Sequence, residues 1–128
     1  MLNDWILIDT SVWIENSRKP KSELSARLER LLKRQAVAIC GVVIAELLQG
    51  LSEKDKPMLS LFKQLPRLPM EWEVYERAGN LGRALHKKGL ALSLSDALIA
   101  GTALEARVPL FTLDGNFKNI PELDLWKG

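Results

Sequence analysis

The sequence predicts an α/β sandwich around a mainly parallel sheet. Short apolar runs alternate with longer segments in which apolar residues recur at helical spacing. The short runs lack the in–out alternation of a half-exposed strand, as expected for strands covered on both faces. No tight hairpin signal joins one run to the next, which favours parallel strands linked through helices.

The first run, "WILID" at residues 5–9, reads as a short buried strand closed by a turn. Residues 10–17 follow as a short helix. Residues 21–35 place Leu24, Leu28, Leu31 and Leu32 at helical spacing, with Pro20 just before them. Residues 37–39 form a second strand, and a helix over 41–49 stops at Gly50. A helix over 54–65 tolerates Pro57 in its first turn, and Pro66 and Pro69 then impose an extended connection. Residues 71–87 form an amphipathic helix through Trp72, Tyr75, Ala78, Leu81 and Leu85, capped by Gly89. "SLSD" opens a helix over 94–106 through a capping box of Ser93 and Asp96. The last strands are expected at 110–112 and 123–126.

A chain of 128 residues suits one domain, spanning 1–128, with one core. Hydrophobic residues at 47% and charged residues at 27% exclude a disordered chain. The longest uncharged apolar stretch, 35–45, is too short for a bilayer span, and the first residues read as a poor signal peptide. The single cysteine, Cys40, permits no internal disulfide and is expected to pack as a small hydrophobe, which fits a reducing cytoplasm. The net charge of +2 says little alone. Its distribution says more: Arg18, Lys19, Lys21, Arg27, Arg30, Lys33 and Arg34 face only Glu23 and Glu29 over one short segment. That segment is either a solvated helix face or a phosphate-facing surface.

Four carboxylates stand where carboxylates need explaining. Asp9 closes the first strand and Asp114 lies two residues past "LFT", so both fall at the carboxyl edge of a parallel sheet, where ligands gather. Glu46 shares a helical face with Val42 and Val43, and Asp96 shares one with Ile99 and Ala100. No lysine or arginine lies within four residues of Asp9, Glu46 or Asp96. Each acid has a local explanation: a helix cap for Asp9, a capping-box partner for Asp96, a turn for Asp114, a helix rim for Glu46. Four such acids in one small domain suggest a shared task. A set of hard oxygen ligands without histidine or cysteine suits Mg²⁺ or Mn²⁺ rather than Zn²⁺. Setting the four aside leaves 18 basic residues against 12 of the 16 acidic ones, an acidic pocket in a basic surround. That balance suits a metal-dependent phosphodiesterase acting on a polyanion. His86, beside Lys87 and Lys88 near a helix end, is better placed for the helix dipole than for catalysis.

The motifs "LIDTSVWIE", "AELLQG", "SLSDALIAGTAL" and "LFTLDGNF" occur in this order over residues 7–117, within a resemblance that runs from about residue 5 to residue 126. In this order and spacing the chain resembles PIN-domain ribonucleases, and among them the VapC-type toxins of toxin–antitoxin pairs. The resemblance implies a three-layer α/β/α fold and endoribonuclease activity dependent on Mg²⁺ or Mn²⁺. It assigns Asp9, Glu46, Asp96 and Asp114 to the metal site and matches Ser11 and Thr112 to the family's hydroxyl positions. For both hydroxyls local capping or turn bonding is an equal alternative. Asn116, before Phe117, stands where many relatives carry aspartate and brings no charge, which leaves one metal or two open. The implied reaction is in-line attack of metal-activated water on a backbone phosphorus, with the 3′ oxygen leaving and no nucleophilic side chain. The implied partners are an RNA substrate, a cognate antitoxin over the active site, and a second copy in a homodimer or higher toxin–antitoxin assembly, with no membrane. Trp13, Leu47, Leu48, Leu51 and Phe62 could line an apolar groove for the antitoxin, or serve as core. Two rivals are a Mg²⁺-dependent phosphatase and a weakly catalytic RNA- or protein-binding module. Ser11 stands two residues after Asp9, where aspartyl phosphatases commonly carry a second aspartate, and so counts against the first.

Overall fold

The run that opens the chain becomes the middle strand of the sheet in the computed structural model, which describes residues 4–128. The expectation about a leader rests partly on residues outside that range. Strand β1 (Ile6–Ile8) lies between β2 (Val37–Ala38) and β3 (Leu110–Phe111), and both pairings are parallel. Ile6 stands opposite Val37, Leu7 opposite both Ala38 and Leu110, and Ile8 opposite Phe111. Side chains of a strand alternate between faces, yet Ile6, Leu7 and Ile8 are all buried, so both faces of the sheet are covered.

The sheet extends at each edge by a single parallel bridge, Ile39 to Arg67 and Leu110 to Leu125. The first falls between Pro66 and Pro69, whose nitrogens have no hydrogen to give a ladder. Ile39 N–H reaches the Pro66 carbonyl at 2.9 Å and Leu68 N–H returns to Ile39 at 2.8 Å. The strand expected at 123–126 is this second bridge alone, held by Leu110 N–H to Asp124 and Trp126 N–H to Leu110.

Six α-helices form the outer layers: α1 (Thr10–Arg18), α2 (Glu23–Lys33), α3 (Gly41–Gln49), α4 (Lys56–Gln64), α5 (Trp72–Lys87) and α6 (Leu94–Ala106). Helix α2 begins later than its apolar spacing predicts, because Ser22 accepts from the Ser25 N–H at 3.2 Å and caps it. A 3-10 turn, Glu53–Asp55, takes the first residues of the helix expected over 54–65. Helices α5 and α6 pack closely, since a Cβ added to Gly101 would stand 3.1 Å from the Val74 carbonyl oxygen. Helix α5 ends in a Schellman motif at Gly89 (φ 75°), with Leu90 N–H bonded to Leu85 and Gly89 N–H to His86. Gln35 and Arg107 adopt the same left-handed conformation after α2 and α6, without glycine's freedom. Among the described residues no helix is long and apolar enough to cross a membrane.

Candidate active site

Asp9 leaves β1 with its backbone N–H still bonded to Phe111, so the sheet fixes where its side chain begins. It is 4% exposed. Its Oδ2 accepts from the Ser11 hydroxyl at 2.6 Å and the Thr112 hydroxyl at 2.7 Å, and caps α1 through the Ser11 N–H at 3.4 Å. Each hydroxyl has one proton, and both are given to Asp9. Their oxygens then accept in turn, Ser11 from Leu113 N–H and Thr112 from Asp114 N–H, each at 3.0 Å. The 3.4 Å approach of the two hydroxyls is therefore proximity rather than a bond. Among the described residues no donor reaches Asp9 Oδ1.

The same network places Asp114. Its amide is held by Thr112, and its Oδ1 accepts from Asn116 N–H at 2.9 Å, capping the 3-10 turn Gly115–Asn119. The turn role expected of Asp114 and its place beside Asp9 are thus one arrangement. Asn116 is exposed and joins the network through its backbone.

Glu46, on α3, accepts from the Thr10 hydroxyl at 2.6 Å. Thr10 is the residue that sequence reasoning missed. In "DTS" two adjacent hydroxyls follow Asp9, and only the structure shows that they lean to different acids. Asp96 lies in the first turn of α6, where the Ser93 hydroxyl accepts from its backbone N–H at 3.1 Å. The reciprocal half of the expected capping box is not formed among the described residues.

Burial raises the Asp96 carboxyl, and the charges of Asp9, Asp114 and Glu46 raise it further, against a lowering bond from Ser93; the result is about 6. The four acids found in sequence therefore share one field. Among the described residues no three of them form a ready-made metal-ligand cluster. The donor set is nevertheless all oxygen, with Asp9 Oδ1 unbonded, and it fits a hard divalent cation. Cys40 is fully buried, and burial, with a smaller push from Asp9 and Glu46, raises its thiol. It packs beneath the acids as a small hydrophobe. His86 is exposed at the end of α5.

Beside Glu46 opens a cavity of about 320 Å³ whose walls include Trp13, Leu47, Leu51 and Phe62, as expected, together with Ile14 and Met58. Trp13 meets Phe62 edge to face at 5.0 Å, and its buried indole Nε1–H has no acceptor among the described residues. Leu48 is not on this wall; its helical position turns it outward, 47% exposed.

A model of the PIN domain matches residues 6–123. This chain belongs to the PIN-domain family. It is 30% identical to Ribonuclease VapC2 of Rickettsia felis over 126 residues, covering 93% of this chain and 94% of that one. It is 32% identical to Ribonuclease VapC1 of Methanocaldococcus jannaschii over 123 residues, covering 94% and 84%. These relatives place the chain in the VapC group of the family. Among solved structures it is similar to VapBC2 from Rickettsia felis bound to a promoter DNA fragment, with TM-score 0.79, 28% identity, and 95% and 98% of the two chains covered. DNA-bound VapBC from Salmonella typhimurium, at 20% identity, shares the fold with TM-score 0.79 and covers 98% of each chain. The three-layer α/β/α arrangement expected from sequence is thus the family's fold.

Proposed function

We propose that this PIN domain, acting as a single unit over residues 1–128, is an endoribonuclease, the toxin of a toxin–antitoxin pair. The observation that carries the proposal is the carboxylate pair Asp9 and Asp114, joined through Thr112 just past β1 and β3, with Asp96 close enough to feel their charges and that of Glu46. The ribonuclease names of its relatives support the substrate. PIN-domain nucleases generally use divalent metals, and Asp9, Glu46, Asp96 and Asp114 would hold Mg²⁺ or Mn²⁺. Such an ion supplies a water nucleophile at neutral pH and offsets charge on the phosphoryl group.

The chain's own contribution is positioning. Ser11 and Thr112 fix one oxygen of Asp9 and leave the other unbonded, and Thr10 does the same for Glu46. A carboxylate held in this way is preorganised for a ligand. Asn116 adds no charge, so a second cation would gain nothing electrostatic from that position. The hydroxyl of Ser11 occupies the place of an aspartyl phosphatase's second acid and is committed to Asp9, which counts against the phosphatase alternative. Lone, buried Cys40 suits a reducing cytoplasm. The solved relatives are toxin–antitoxin complexes, and the apolar cavity beside Glu46 is the surface that would receive an antitoxin segment. A homodimer is the expected assembly of the toxin itself.

The test is cleavage of a panel of structured RNAs by antitoxin-free protein, with Mg²⁺, with Mn²⁺ and with chelator, beside Asp9→Asn and Asp96→Asn. Wild type should cut only with metal, and both variants should fall to background. Variants that cut as well as wild type would overturn the site. Hydrolysis of a small phosphomonoester but of no RNA would favour the phosphatase.

A further inference from the structure

Helix α2 carries a second feature, distinct from the acids. Arg27, Arg30 and Arg34 stand at i, i+3 and i+7, a spacing that aligns them along one side of the helix. They converge with Trp126 and Gly128 on a small cavity of about 80 Å³. On the same helix Lys33 pairs with Glu29 at 3.3 Å, and Lys19, at the end of α1, pairs with Glu15 at 3.3 Å. Arg30 has only a long 3.8 Å contact to exposed Glu23. Among the described residues Arg27 and Arg34 have no carboxylate partner within salt-bridge distance.

Arg27 is instead held by aromatic rings. Its guanidinium carbon lies 5.4 Å from the Phe111 ring centre and 5.1 Å from that of Trp126, and the two rings are 4.6 Å apart. Stacking of this kind orients the planar fork without using its hydrogen-bond donors. Phe111 directly precedes Thr112, whose hydroxyl holds Asp9, so the aromatic end of this cluster is one residue from the Asp9 network.

We propose that Arg27, Arg30 and Arg34, with Trp126, form a binding strip for the phosphate backbone of single-stranded RNA on the outer face of α2. Guanidinium forks match phosphate oxygens two at a time, and Trp126 holds the Arg27 fork in place. The proposal rests on the nuclease reading for the identity of its ligand. It does not rest on that reading for the site.

The test is binding, with chelator present, of a fluorescent single-stranded RNA oligonucleotide of mixed sequence over a range of salt concentrations. The primary variant, Arg30→Gln with Arg34→Gln, changes exposed residues and leaves the Arg27 stack intact. It should bind roughly tenfold more weakly and lower the salt slope by about 1.4, or about 0.7 for each phosphate left without its arginine. Lys87→Gln with Lys88→Gln removes the same charge at the end of α5 and should bind as wild type does. Arg27→Lys keeps the charge and loses the fork, and should weaken binding while circular dichroism stays unchanged. A double variant that matches wild type, or a lysine control that loses as much, overturns the strip. So does a double variant that alters self-association and leaves RNA binding intact. If wild type cleaves RNA while the double variant keeps its salt slope, the strip alone fails. If wild type binds this RNA through the strip but cleaves none with metal, the nuclease reading alone fails.

Discussion

Asp9 and Asp96 face the same field from opposite kinds of support. Asp9, at the tip of β1, is the more buried, and it is held by hydroxyl donors from α1 and from the residue just past β3. Asp96, half-buried in the first turn of α6, has its carboxyl pushed up to about 6. Its position comes from the helix that carries it, through the Ser93 cap at one end and the tight approach of Gly101 to α5 farther along. The strand tip positions its acid by hydrogen bonds, and the helix positions its acid by packing.

Neutralising either acid should reduce cleavage to background, and stability then separates the two. Asp96→Asn removes a charge the fold disfavours, so the metal-free protein should melt higher at pH 7. Asp9→Asn puts a donor where Ser11 and Thr112 already donate, so it should melt lower. The pH dependence follows from the same asymmetry. A folded value of about 6, above the ordinary 3.8, means the native state holds the proton more tightly than the unfolded chain. The contribution of Asp96 is therefore fully present below the lower value and is lost as pH rises to about 6. Thermal melts of metal-free protein across this window should show the loss in wild type and not in Asp96→Asn. Equal slopes in the two proteins would break the comparison.

The hydroxyls come next in size. Ser11→Ala and Thr112→Ala should each lower activity roughly 10- to 100-fold, as removal of a group orienting a metal ligand does. The loss should fall mainly on kcat, with the fold retained and Thr112→Ser recovering most of it. Thr10→Val should do the same through Glu46. If all three variants kept full activity, Asp9 and Glu46 would be positioned by packing as Asp96 is, and the two supports would not differ.

The four acids proposed for the site stand out in the sequence: Asp9 ends a buried strand, Glu46 and Asp96 lie on apolar helical faces, and Asp114 follows a second strand at the same sheet edge. Thr10 does not, because a threonine at the start of a helix breaks no local rule. Its partner Glu46 lies 36 positions away, a distance no local pattern spans. The strand order was equally hidden, since β1 lies between two strands that are distant in sequence. The bridge at Arg67 could not be read between two prolines, which mark extended backbone but not its neighbour. The sequence leaves the segment holding Arg27 open between a solvated face and a phosphate-facing surface; the contact of Arg27 with Phe111 and Trp126, nearly a hundred positions away, is not visible in it.

Packing sets the position of α6 if Gly101 cannot be enlarged. A Cβ there would stand 3.1 Å from the Val74 carbonyl and 3.5 Å from the Ala78 nitrogen, and backbone has little room to give. Gly101→Ala should destabilise the protein by roughly 1–3 kcal/mol, the usual cost of overpacking. Because α6 carries Asp96 and β1 carries Asp9, the change should shift the Asp96 resonance in NMR and leave the Ser11–Asp9 network in place. Denaturation at wild-type midpoint would mean that α5 slides freely under α6.

The far end of α6 is the gentlest probe of the same idea. Arg107 ends the helix at φ 58°, with Val108 N–H bonded to Ala103 and Arg107 N–H to Leu104. A side chain in that conformation costs about 1–2 kcal/mol, which glycine avoids at some expense in chain entropy. Arg107→Gly should therefore stabilise by about 0.5 kcal/mol net, as Gly89 already does for α5. The substitution lies at the opposite end of α6 from Asp96, so kcat/KM and its pH profile should stay as in wild type. A changed pH profile would show that Asp96 is positioned through the whole length of its helix, beyond the Gly101 contact and the Ser93 cap.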